Sequence, residues 1–147
     1  MGNYLTFTIA GESCAVEVRD VETVLEKTEL GRISGVPGYV AGLLDLRGEA
    51  IPVIDVRRKL GLDPGEATRD QCIIVLAMGG SGARRPVGAL VDSVSEVVEI
   101  PDGAIAASAD FAVRFDRAIV RGIARLESGF VTMIEAERLF EAPPTGA

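Results

Sequence analysis

The chain has 147 residues, about one domain's worth, with a net charge of −7, 48% hydrophobic residues and a mean hydropathy of +0.29. An acidic balance of this size argues against nucleic acid, whose phosphates call for clustered Lys and Arg, and against docking on an anionic membrane surface. The sequence contains no histidine, which excludes Ser–His and Cys–His nucleophile pairs, histidine acid–base catalysis, histidine metal ligands and a phosphorylated histidine.

Tyr4 to Ile9 alternates, with Leu5, Phe7 and Ile9 on one face and Tyr4, Thr6 and Thr8 on the other, which reads as a half-buried strand. A turn at Gly11-Glu12 leads to a second strand over Cys14–Val18. In Arg19 to Glu26 the spacing of Val21, Val24 and Leu25 suits either a helical turn or an irregular strand. Pro37-Gly38 marks a turn before the apolar run Val40–Leu46. Ile51–Val56 reads as a strand in which Pro52 points to an edge position or a bulge. Arg57–Leu60 suits one helical turn stopped by Gly61. Cys72–Met78 is a continuous apolar run rich in β-branched residues, the signature of a buried strand. Gly79–Gly82 reads as a hairpin turn and lacks the Gly-Lys-Ser/Thr of a phosphate loop. Val87–Val91 and Val94–Ile100 are strands, residues 101–116 a loop, and Ala118–Leu126 and Phe130–Ile134 further strands. Glu135–Glu141 forms a short amphipathic helix, and 143–147 a frayed tail. Many short strands between turn signals imply an all-β barrel or sandwich architecture.

Cys14 and Cys72 sit far apart in apolar runs and read as buried free thiols. Nothing resembles a signal peptide, and no apolar stretch reaches the roughly 20 residues of a membrane helix. The expectation is a cytoplasmic protein without direct membrane insertion.

Two segments align without a gap at an offset of 80 residues: Val40–Leu46 over Val120–Leu126, then Ile51, Val53, Ile54 and Asp55 over Val131, Met133, Ile134 and Glu135. A weaker echo at an offset of 73 sets Val18, Val21, Val24 and Glu26 over Val91, Val94, Val97 and Glu99. Valine-rich strands can resemble one another by chance. The alternative is two similar half-domains, each too small to hide its apolar surface alone, packed with a groove at their junction.

The run Gly42–Arg57, with Leu46-Arg47-Gly48, Pro52 and Asp55-Val56-Arg57 in fixed spacing, resembles the CheW family signature. Tyr4–Phe7 with Val21, Gly88–Val97, and Gly122-Ile123 with Leu139 fit in order as well, so the resemblance spans residues 4–141. It implies two packed five-stranded SH3-like β-barrel subdomains within one CheW-like domain over residues 1–142. It also implies a non-catalytic adaptor, without cofactor or metal, coupling chemoreceptor tips to the regulatory domain of the histidine kinase CheA, with other CheW-like domains as further partners. Such a protein would be recruited to membrane receptor arrays. Carried over by the motif, Val21, Gly42, Arg47, Gly88, Val94 and Val97 would form the receptor-facing groove, and Phe111 a kinase or ring contact. Three residues depart from the pattern: Asp45 stands for the family's Asn, Thr23 where some members carry Glu, and Ala106 where a basic residue often precedes a loop.

The residues themselves leave other readings open. Arg47 offers a fixed fork of donors to a partner, or pins its own loop by pairing with Asp45 or Asp55. The glycines are bulge or close-approach positions by default, and Val21, Val94 and Val97 are core residues unless they face a groove. Asp45, Asp55 and Asp92 sit singly at strand ends, which fits capping better than acid–base chemistry or a metal site. An adaptor of a non-chemotaxis array is the nearest alternative, and a small-ligand barrel or enzyme a more distant one.

Overall fold

The structure, a computed structural model, describes residues 2–62, 70–79, 84–107, 119–127 and 129–140. In chain order the strands are β1 (Gly2–Ile9), β2 (Glu12–Glu17), β3 (Val21–Glu26), β4 (Val40–Leu46), β5 (Glu49–Asp55), β6 (Cys72–Met78), β7 (Arg85–Val91), β8 (Ser93–Ile100), β9 (Ile105–Ala107), β10 (Val120–Leu126) and β11 (Gly129–Ile134). The helices are single turns, α1 (Val56–Lys59) after β5 and α2 (Ala136–Leu139) after β11.

The strands form two sheets. One is continuous in sequence, in the order β3-β6-β7-β5-β4; the other, β8-β1-β2-β11-β10-β9, is assembled from both ends of the chain. Position by position the orders coincide: β8 stands for β3, β1 for β6, β2 for β7, β11 for β5 and β10 for β4. Both contain one parallel pair, β5 with β7 and β11 with β2. Each sheet curls shut through its edge strand. Beyond β3 the chain returns to bridge β4, Gly31 and Leu43 exchanging backbone bonds of 2.8 and 2.9 Å. Beyond β8 a 3-10 turn at Asp102–Ala104 leads into β9, which pairs with β10. We call these the continuous barrel and the split barrel.

The offset-80 repeat corresponds to matching pairings. The register shifts between Val40 and Gly42 in one barrel and between Val120 and Gly122 in the other. Asp55 N–H donates to Tyr39 O at 2.7 Å, as Glu135 N–H donates to Ile119 O at 2.8 Å. The second offset, 73, superposes β3 on β8. The two offsets differ because the split barrel takes its β6 and β7 equivalents from the start of the chain.

Among the described residues, apolar side chains gather in three clusters. Leu44, Ile51, Val53, Ile73, Val75 and Leu90 fill the continuous barrel. Tyr4, Ala15, Ile100, Ala124, Val131 and Met133 fill the split one. The largest cluster lies between them and joins Leu5, Phe7 and Ile9 of β1 to Ile74, Leu76 and Met78 of β6, together with Val56 of α1, Leu60 just after it and Leu139 of α2. So β1 is buried on both faces, not half-buried: Tyr4 points into its own barrel while Leu5 and Phe7 meet the other. Its inward face hides Thr6, whose hydroxyl is satisfied by donating to Glu96 O and accepting from Glu96 N–H at 2.9 and 3.1 Å.

Other expectations are corrected. Arg19 to Glu26 splits into a 3-10 turn at Val18–Asp20 followed by β3. Pro52 lies on an interior strand, not an edge. Leu43, opposite it, directs its backbone groups to Gly31, so Pro52's missing donor faces β7 just before the parallel ladder starts at Val53. The loop expected from residue 101 contains β9, and Ala106 is a strand residue paired with Ile123. Residues 80–82 of the expected hairpin turn and the 143–147 tail lie outside the described residues.

Candidate functional site

Among the described residues the chain crosses between the barrels twice, through Val18–Asp20 into β3 and through Asp92 into β8. Val21 and Val94 follow these crossings closely, and both pack on the inter-barrel cluster while remaining partly accessible. Val94 lines an open groove of about 480 Å3 together with Glu26, Lys27, Asp70, Gln71, Cys72 and Ser93. Its walls therefore come from the end of β3 and the start of β6 on one barrel and the start of β8 on the other. Val97 continues along β8 with 58% of its surface exposed. An apolar side chain that far out on an edge strand is available for contact.

Gly42 and Gly88 occupy a different position. Thr23, Val75, Gly88, Val53 and Gly42 form one row across the continuous barrel. A Cβ on Gly88 would sit 2.9 Å from a Val53 methyl and 3.0 Å from an Ile73 methyl. A Cβ on Gly42 would sit 2.5 Å from Gly31 O, on a backbone with φ of 153°. Both glycines are buried and admit close approach of their neighbours.

Arg47 is the exposed tip of the β4–β5 hairpin, outside the lining of the Val94 groove. Arg47 and Gly48 have φ of 53° and 81°, the left-handed pair of a type I′ turn. A non-glycine residue in that region is strained by about 1 kcal/mol. Asp45 supports the turn by accepting from Gly48 N–H at 3.1 Å. Among the described residues none ion-pairs with Arg47, so Asp45 shapes the turn and leaves the guanidinium to solvent. Beside this tip, Glu49, Ala50, Pro52, Met78, Val87 and Phe140 line part of a second cleft, of about 660 Å3. Phe111 lies outside the described residues.

A residue pair not foreseen from sequence stands at the second crossing. The Arg57 guanidinium straddles the Asp92 carboxylate, with Nε 2.9 and 3.1 Å from its two oxygens and the terminal nitrogen 2.6 Å from Oδ2. Both side chains are largely buried, at 18% and 12% exposure. Asp92 Oδ2 also accepts from Ala10 N–H at 2.8 Å, in a turn where Ala10 has φ of 50°. Both residues belong to the sequence signature, but 35 residues separate them. Asp55 caps α1, receiving Arg58 N–H at 3.4 Å.

The remaining chemistry is quiet. Cys14 is fully buried, and burial pushes its thiol pKa far up, assisted by Glu12 and Asp92, so it is not a nucleophile. Cys72 is free and partly exposed on the groove. Arg121 is held charged by its hydrogen bond to Glu17 at 3.0 Å. No cluster of three metal-ligating side chains occurs among the described residues, and no helix among them is long and apolar enough to cross a membrane.

Comparison with known proteins agrees with this architecture. The chain is 29% identical over 136 residues to a probable chemotaxis protein CheW of Rhizobium etli, covering 92% of this chain and 85% of that one. It is 27% identical over 139 residues to the chemotaxis protein CheW of Klebsiella aerogenes, covering 95% and 81%. The crystal structure of the scaffolding protein TtCheW from Thermoanaerobacter tengcongensis superposes with a TM-score of 0.84 at 28% identity, over 96% of this chain and 88% of that one. The CheW-like domain profile matches residues 3–143, and the chain therefore belongs to the CheW-like family.

Proposed function

We propose that this protein is a non-catalytic adaptor of chemotaxis signalling, a single CheW-like domain of two pseudo-repeated barrels that couples chemoreceptors to the histidine kinase CheA. The observation that carries the reading is the open groove between two barrels of the same strand order, walled by Val94 of β8 on one side and Cys72 of β6 on the other. A groove of this kind suits a helix of a receptor's cytoplasmic tip. Val94 supplies an apolar contact within it, and Val21 and Val97 offer further apolar surface outside its lining. Arg47, exposed on a strained turn outside this groove, supplies a separate charged fork. Gly42 and Gly88 act by shaping the sheet beneath. The kinase's regulatory domain, itself CheW-like, pairs with a barrel end, with Phe111 as its contact. The protein then resides at membrane receptor arrays without entering the bilayer.

The test is a reconstituted complex of this protein, CheA and a receptor tip fragment. Arg47→Glu should retain the native circular dichroism spectrum and reduce receptor-dependent kinase activation at least tenfold. Full activation by the folded variant, or failure of the wild-type protein to bind either partner, would overturn the reading.

A further inference from the structure

Each crossing between the barrels carries an aspartate held by an arginine of the continuous barrel. At the first, Arg84 reaches Asp20 at 2.8 Å while also donating to Ala77 O at 3.1 Å. At the second, Asp92 is the single residue between β7 and β8, and donors converge on it from both barrels. Arg57 comes from α1, whose Val56 lies in the inter-barrel cluster. Ala10 N–H comes from the β1–β2 turn of the split barrel. Asp92 N–H donates to Thr8 O at 3.1 Å, and Ser93 shares a 2.6 Å hydroxyl contact with Thr8. The junction is thus tied by directional, charge-assisted bonds. An apolar interface alone permits two barrels to slide or rotate, because hydrophobic attraction has no preferred direction.

The groove begins beside the second tie. Val94 lies two residues past Asp92, and Cys72, on the facing wall, pairs with Val91 immediately before it. Any rotation at Asp92 moves Val94 against Cys72. We propose that the Arg57–Asp92–Ala10 tie sets the opening of the inter-barrel groove, making Arg57 and Asp92 positioning residues for whatever the groove receives. The occupant follows from the function proposed above, a helix of the receptor tip; the tie itself does not depend on that identity.

The experiment uses Asp92→Asn, which keeps an acceptor for Ala10 N–H but removes the charge, and Arg57→Lys, which keeps the charge but removes the two-pronged fork. Cys72 reports groove opening without any ligand, since Cys14 is buried and unreactive. In both variants the labelling rate of Cys72 by a thiol reagent should change at least threefold. Receptor-fragment affinity should fall about tenfold, while affinity for the CheA regulatory domain stays within twofold of wild type. Equal losses for both partners, or an unchanged Cys72 rate in folded protein, would overturn the inference. So would loss of fold in both variants, which would make the tie a condition of folding. If wild type fails to bind the receptor fragment while the variants still shift the Cys72 rate, the adaptor reading falls and the positioning role stands.

Discussion

In the continuous barrel the bulge glycine is Gly42 and the carbonyl lodged against it belongs to Gly31; in the split barrel they are Gly122 and Ala106. The strands of the hairpin that follows pair up to equivalent ends, Leu46 with Glu49 and Leu126 with Gly129. Inside the frame, equivalent positions match in role. At the hairpin tips they diverge: Arg47 corresponds to Glu127, and Ala50, at the edge of a cleft, corresponds to the exposed Phe130. The duplicated frame is therefore a matter of packing, and the copies differ at their exposed tips, in charge and bulk.

The strongest way to break this equivalence is to place a methyl at each bulge. Gly42→Ala and Gly122→Ala would bring a Cβ to 2.5 and 2.4 Å from a carbonyl oxygen. Each should cost about 3 kcal/mol in urea unfolding, with Gly42→Ala the worse because its positive φ adds strain. A near-neutral result at one site alone would show that the bulges do different work.

An exchange between barrels gives the next largest effect. Gly88 and Ala15 hold the same place, each paired with the parallel strand, at Val53 and Met133. Gly88→Ala should cost about 2 kcal/mol because Val53 and Ile73 leave no room. Ala15→Gly should cost about 1 kcal/mol through backbone entropy. Both would be read as shifts in the denaturation midpoint at constant slope.

The smallest effect concerns Cys14, which corresponds to Val87. Its thiol pKa is raised in the folded protein by burial, so the stability that depends on the neutral thiol is complete below the ordinary thiol pKa, about 8.5. Above that the unfolded chain loses a proton the folded one keeps, and stability falls by about 1.4 kcal/mol per pH unit. Cys14→Val should flatten the decline in melting temperature between pH 8 and 10. An unchanged slope would place its origin elsewhere.

Much of this was legible in the residues. The run Cys72–Met78 announces a strand buried on both faces, and the offset of 80 announces a repeated hairpin and helix. The resemblance of Gly42–Arg57 to the family signature supplied the class. Three features stayed hidden for physical reasons. β9 is three residues long without alternation, and it exists because Gly122 admits the Ala106 carbonyl. Pro52 is tolerated inside a sheet because Leu43 turns its own bonds toward Gly31, a fact of pairing rather than composition. The Arg57–Asp92 tie joins residues that meet only when both barrels are assembled. Asp45, which looked like a partner for Arg47, instead braces the turn that presents it.

The division of the split barrel between the two ends of the chain bears on synthesis. β3 to β7 follow one another without interruption, so the continuous barrel has all its strands once Val91 has emerged from the ribosome. β1 and β2 are made first yet must wait for β8, β10 and β11 before their own barrel can close, and the β2–β11 ladder is among the most distant pairings in the chain. During that wait Leu5, Phe7 and Ile9 can already settle on Ile74 and Leu76. A nascent chain halted just beyond β7 should thus be protected from proteases in strands β3 to β7, with its leading segment cut before them.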